Sequence, residues 1–164
     1  MIMARVLVPL AEGCEELEAV TVIDLLRRAE IEVVTAGLTK GPVRASRNTV
    51  LVPDTVLEAV MDQPFDMIVL PPAGSPGPNG WSGTSEFTRS SNAIDPKTVS
   101  SPLSVPPPKV LAGAGLLDGR AATSYPGAVT QEEFPEVDPL QVPVVVDGKV
   151  ITSRGPGTAM DFAL

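Results

Sequence analysis

Between Pro71 and Pro108 the chain carries nine of its 18 prolines and eight of its 11 serines, in a run with neither helical nor strand periodicity. Such a stretch lacks the apolar content to offset the entropy of ordering it, and taken alone it reads as a disordered or linker-like insertion. The sequence on either side is different in kind. Both flanks alternate apolar runs with amphipathic stretches, so the fold has to be built from two α/β pieces joined by a segment that supplies no pattern of its own.

The N-terminal piece opens with Ala4 to Leu10, a short apolar run of the kind buried in parallel sheets. A glycine-containing loop and a helical pattern to about Ala29 follow. Glu15, Glu16 and Glu18 fall in the first turn and Arg27 and Arg28 in the last, matching the helix dipole. Glu32 to Leu38 reads as a second strand, and Pro42 to Val52 as two further short ones. Asp54 is placed to cap a helix through Met61, and Phe65 to Leu70 reads as another buried strand. Beyond the proline-rich run, Val110 to Leu117 reads as a helix and Ala121 to Tyr125 as a strand. Val142 to Val146 and Lys149 to Thr152 form a hairpin about Asp147-Gly148. Ser153 to Thr158 then turns into a helix that begins near Gly157. Strand and helix alternate, which predicts a mostly parallel sheet covered on both faces in one domain over 1–164.

Composition removes several function classes. Twelve basic against twenty acidic residues give a formal charge of −8, which argues against a nucleic-acid surface. The absence of histidine excludes His-based triads, His–zinc centres and His switches. A single cysteine excludes an internal disulfide and any multi-cysteine metal site, and fits a reducing, cytoplasmic setting. No apolar run reaches the roughly 20 residues of a membrane span, and no leader pattern is present, so neither membrane insertion nor secretion is expected. No GxGxxG or phosphate loop follows the first strand, which weakens a nucleotide-binding reading.

LVPLAEGCEELEAV, DLLRRAEIEVVTAGL, FDMIVLP, LAGAGLLDGRAATSYPG and VVVDGKVITSRGPGTAMDFAL together resemble the ThiJ/PfpI superfamily. The nearest branch is that of the Parkinson-disease protein deglycase and its bacterial and plant relatives. GxEExE paired with SRGPGT is the specific part of the match, and the likeness covers about three quarters of the chain. It implies a flavodoxin-like α/β sandwich, homodimeric and without a cofactor. Its site would be a cysteine nucleophile on a strand-to-helix elbow, a glutamate from the first helix beside the thiol, and a Gly-Gly turn as oxyanion site. The implied activity is that of a cysteine-dependent glyoxalase or deglycase acting on small carbonyl compounds such as methylglyoxal or on glycated proteins, with chaperone and oxidative-stress roles. Members also continue the final helix beyond the position of Leu164, so on this likeness the end is expected to be truncated.

On the residues alone Glu18 reads first as a favourable first-turn charge; the resemblance reverses this and gives it the place of the active-site glutamate. Arg28 and Arg47 match basic positions at the pocket or dimer face, or are solvated surface charges. The nucleophile has no counterpart. The family elbow, Ala-Ile-Cys-Ala-Gly/Ala-Pro, belongs just before Lys109, where this chain has SSPLSVPPP, and the Gly-Gly turn is replaced by Pro-Pro-Ala-Gly at 71–74. Cys14 lies in the loop before the first helix; the helix N-terminus favours its thiolate, but Glu12, Glu15 and Glu16 oppose it.

The departure from the family and the unusual composition share their boundaries, which points to one cause. Ser100 to Pro108 can be encoded TCG-TCG-CCG-CTA-TCT-GTG-CCG-CCC-CCN, and a one-base shift reads Val-Ala-Ala-Ile-Cys-Ala-Ala-Pro. Pro71 to Trp81 can be encoded so that the same shift gives Pro-Gly-Gly-Leu-Pro-Gly-Ala-Lys-Arg-Leu. Both missing motifs return in a common frame. A frame-shifted reading of 71–108 is therefore expected, with a natural insertion as the alternative. Three functional readings follow: an enzyme lineage inactive as written, a non-enzymatic chaperone-like or dimerisation scaffold, and a product that folds poorly.

Overall fold

The computed structural model describes residues 4–73, 99–101, 111–113 and 115–164. Of the proline-rich segment, Pro71–Ala73 and Val99–Ser101 are described; the elbow position and the rest of the proposed frame shift lie outside the described residues.

Its strands are β1 (Arg5–Leu10), β2 (Glu32–Gly37), β3 (Val43–Arg44), β4 (Val50–Leu51), β5 (Thr55–Val56), β6 (Met67–Val69), β7 (Val99–Ser101), β8 (Ala121–Thr123), β9 (Asp138–Leu140), β10 (Val144–Asp147) and β11 (Val150–Ser153). The helices named here are α1 (Glu16–Arg28) and α2 (Ala159–Ala163). A seven-stranded sheet runs in the order β10-β11-β7-β6-β1-β2-β5. All its pairings are parallel except β10 against β11. β3 pairs antiparallel with β4, and β8 parallel with β9, in separate two-stranded sheets. The parallel core is doubly wound in the flavodoxin-like manner: β2, with the short β5 at its outer edge, lies on one side of β1, and β6, β7 and β11 lie on the other. The switch point of that order falls between β1 and β6.

β1 is central because its sequence suits nothing else: Val6, Leu7, Val8, Pro9 and Leu10 are all buried, the pattern of a strand covered on both faces. Pro9 carries no N–H, and it falls beyond Val6 and Leu7, the stretch where β1 is paired with β6 as well as β2. α1 buries Glu18, Ala19 and Val22 and packs against α2, whose Phe162 joins the core. It ends in a Schellman motif: Ile31 N donates to Leu26 O and Glu30 N to Arg27 O, with Glu30 left-handed at φ 59°. The helical residues 111–113 end the same way. Leu116 N donates to Leu111 O and Gly115 N to Ala112 O, with Gly115 at φ 71°. That stop cuts short the helix expected over Val110 to Leu117.

Three further expectations need correction. Asp54 caps no helix: its carboxylate accepts from Thr35 N and Thr35 Oγ1, and Leu57–Ala59 is a single 3₁₀ turn with no side-chain cap. In the β10–β11 hairpin Asp147 pairs with Val150, so the two turn residues are Gly148 and Lys149, one place later than the Asp147-Gly148 reading. Gly148, at φ 62°, takes the first turn position, where only a residue free of a Cβ is unstrained. Val99–Ser101, in a stretch without strand periodicity, pairs on both sides, with β6 and β11. Backbone hydrogen bonds in a parallel sheet need no alternating side chains. No helix among the described residues is long and apolar enough to cross a membrane.

Candidate functional site

In doubly wound sheets the crevice lies beyond the C-terminal strand ends at the switch point, here the ends of β1 and β6. The chain leaves β1 through Ala11 to Glu15 and enters α1 directly. That loop is fastened on both sides. Toward β6, Glu15 N donates to Pro72 O at 2.6 Å and Cys14 forms an isolated antiparallel bridge with Ala73. Toward the β3–β4 hairpin, Gly13 N donates to Arg44 O and Ser46 N to Cys14 O, both at 2.8 Å.

Glu18 sits at the third position of α1, on its inward face, with 0% exposure. A carboxyl buried so completely at the start of a helix and beside the switch point is where chemistry is expected. A first-turn charge serving only the dipole would stay in water. Of the two sequence readings of Glu18, solvent-facing charge does not fit its burial.

Cys14 is also 0% exposed. Burial, and then the negative charges of Glu16, Glu12 and Glu15, push its thiol up to about 12, against a smaller opposing effect of a backbone hydrogen bond. The sole thiol is therefore protonated at neutral pH and poorly nucleophilic. The helix N-terminus does not prevail.

Glu16 is the reverse case. Burial opposes its ionisation, but hydrogen bonds from its own backbone, from Ser46 and Thr49 and from the Arg47 amide outweigh this and hold it at about 2. Ser46 Oγ lies 2.9 Å from Glu16 Oε2 and 3.0 Å from Glu15 Oε2, and Arg47 N donates to Glu16 Oε1 at 3.0 Å. The contact between Ser46 and Glu16 joins residues 30 apart, and neither spacing nor periodicity signals it.

The structure brings Glu18 and the Arg47 loop to the same end of α1, although the Arg47 side chain is exposed and only its backbone takes part. Arg28 is not brought there. It lies at the opposite end of the helix, exposed, with Nε bonded to Asp24 at 2.7 Å. The expected oxyanion turn begins with Pro71 and Pro72, which have no N–H to offer, so neither residue can donate to an anion. Among the described residues no group of three or more His, Cys, Asp or Glu side chains could hold a metal ion.

Comparison with known proteins agrees with this architecture. The DJ-1/PfpI family profile matches residues 4–164. Protein dj-1beta of Drosophila melanogaster is 41% identical over 164 residues, covering 96% of this chain and 84% of that protein. The Glutathione-independent glyoxalase DJR-1.2 of Caenorhabditis elegans is 32% identical over 98% of the chain and 84% of its own length. Protein DJ-1 homolog A of Arabidopsis thaliana is 36% identical over 98% of the chain, but the chain spans only 41% of that longer protein. The crystal structure of Drosophila melanogaster DJ-1beta superposes with a TM-score of 0.79 at 35% identity, over 99% of this chain and 87% of the other. The family match spans residues 4–164, the described residues carry a flavodoxin-like topology, and the chain belongs to the DJ-1/PfpI family.

Proposed function

We propose that this chain descends from a cysteine-dependent glyoxalase or deglycase acting on methylglyoxal or glycated groups, and that as written it is inactive because the nucleophile elbow is lost. One observation carries the reading. Glu18 is buried at the switch point, while the single thiol of the whole sequence is Cys14, sealed in the loop before α1 and protonated at neutral pH. Glu18 is buried where the resemblance expects an acid, and the elbow sequence offers no cysteine. Ser104, near the elbow position, gives no substitute, because a serine hydroxyl needs a general base and the chain has no histidine. The interruption over 71–108 is, in this reading, a shifted frame within a single domain, with Val99–Ser101 as the last strand before the elbow. The test is methylglyoxal consumption by the purified chain. Turnover at the uncatalysed rate is expected. Turnover that survives both Cys14→Ala and Ser104→Ala would contradict the assignment of the missing centre.

A second reading, a dimerisation scaffold without enzymatic activity, has its own support. Leu17 is 52% exposed and Val20 46% on one face of α1, and Val52 is 78% exposed beyond β4. Val20, Ile23, Leu51 and Val52 line one groove of about 280 Å³. Asp24, Arg27, Thr35 and Asp54 share the lining, and exposed apolar side chains set among charged ones suit a self-complementary two-fold contact. Sedimentation at micromolar concentration should give a dimer that Val20→Lys converts to monomer. A monomeric parent chain removes this reading and leaves the first intact.

A further inference from the structure

We propose that the β3–β4 hairpin is a latch over the loop before α1, with Glu16 and Ser46 as its clasp, and that release of the clasp opens Cys14 to reagents. The hairpin is not part of the main sheet. It is two residue pairs, Val43 with Leu51 and Arg44 with Val50, and a free-standing pair of strands that short has little stability of its own. Its inner strand is anchored by Val43 and Ala45, which are buried, whereas Arg47, Asn48, Thr49 and Val50 are all exposed.

What fastens the outer end is a short set of polar contacts with the first turn of α1. Ser46 Oγ bonds the Glu15 and Glu16 carboxylates, Arg47 N bonds Glu16, and Ser46 N bonds Cys14 O. Cys14 is thereby held between two elements, the end of β6 through Ala73 and the hairpin through Ser46. Peeling the hairpin away uncovers one of these sides; the β6 side stays closed. Elements held by few buried contacts and several exposed hydrogen bonds are the ones that open locally without global unfolding. Glu16 remains ionised down to about pH 2, so the clasp is charged and closed throughout the neutral range. The latch is independent of the glyoxalase reading, since it concerns a thiol outside the missing elbow.

Because Cys14 is the only thiol, its alkylation by a maleimide at pH 8 reports opening directly. Glu16→Ala and Ser46→Ala should each label about tenfold faster or more than the parent, as expected when hydrogen bonds to a charged acceptor are lost. Ser46→Thr, which keeps the hydroxyl, should label near the parent rate. Urea unfolding of each protein gives the global unfolding constant. An increase in Ser46→Ala, which keeps the Glu16 charge that raises the thiol, exceeding the increase in that constant supports the latch. Unchanged labelling, or an increase equal to that in the global constant, overturns it. If Glu16→Ala does not fold, Ser46→Ala carries the same comparison.

Discussion

Cys14 illustrates how far a side chain's chemistry is set by what surrounds it. A thiol at the start of a helix is a candidate nucleophile by position, but here burial and the charges of Glu16, Glu12 and Glu15 move it to about 12 from an ordinary value of 9.0. Because the folded value lies above the unfolded one, the stabilisation is complete below about pH 9 and is lost as pH rises toward 12. The difference in unfolding free energy between the parent and Cys14→Ala should therefore shrink between pH 8 and 11 in urea titrations. A constant difference would mean that the thiol titrates normally. Asp54 is the acid counterpart. Its pKa is lowered: burial opposes ionisation, but hydrogen bonds from Thr35 and Arg27 and the Arg27 charge outweigh it. Asp54 Oδ2 accepts from Thr35 N, Thr35 Oγ1 and Arg27 Nη2 at 2.7–2.9 Å. Asp54→Ala should cost about 1–2 kcal/mol at pH 7, read from the urea midpoint at unchanged slope, because Thr35 is left buried with its donors unmatched. That cost should diminish as pH falls below 3.8, where the parent's own carboxylate begins to lose its advantage.

At the scale of elements, periodicity and end signals were enough for α1, β1, β2, the β3–β4 pair and the C-terminal hairpin. Each is set by local pattern: five consecutive buried residues in β1, acidic first and basic last turns in α1. Two of the misreadings share one physical origin. Asp54 is a good cap by residue type, but Thr35, 19 residues earlier, offers it a backbone amide and a hydroxyl at once. The hairpin slipped by one residue because Asp147 has a distant partner too: its carboxylate accepts from Ala121 N at 2.8 Å. Non-local polar contacts override local turn chemistry, and a sequence without an alignment does not display them. The Schellman turn after α1 shows a local cost that is visible only in the structure. Glu30 occupies the left-handed position that glycine fills without strain, and it places a negative charge at the negative end of the helix. Glu30→Gly should stabilise the fold by about 0.5–1 kcal/mol, measured as a rise in urea midpoint. No change, or a loss, would mean that Glu30 makes compensating contacts.

For the whole molecule, the switch point between β1 and β6 marks the candidate site, and the elements that flank the two halves of the family signature belong to the same sheet and helix layer. β11, which leads into SRGPGT, adjoins β7, and α2, which follows SRGPGT, packs on α1, which carries Glu18. The GxEExE motif singles out Glu18 in the sequence; its complete burial is visible only in the structure. Sequencing the gene across codons 65–115 decides the origin of the interruption: compensating single-base insertions or deletions at its two borders are expected, and an uninterrupted frame without them would rule the shift out. The loss of the elbow nucleophile proposed above, with Glu18 still buried at the start of α1, is the central claim. It is tested most directly by re-encoding 71–108 in the shifted frame, which supplies Pro-Gly-Gly-Leu at one end and Ala-Ile-Cys-Ala at the other, and measuring methylglyoxal consumption beside the parent chain. The account predicts that the re-encoded protein consumes methylglyoxal, that Glu18→Ala in it abolishes most of that rate, and that the parent stays at background. A parent chain as active as the re-encoded one, or a folded re-encoded protein with no activity, would contradict it.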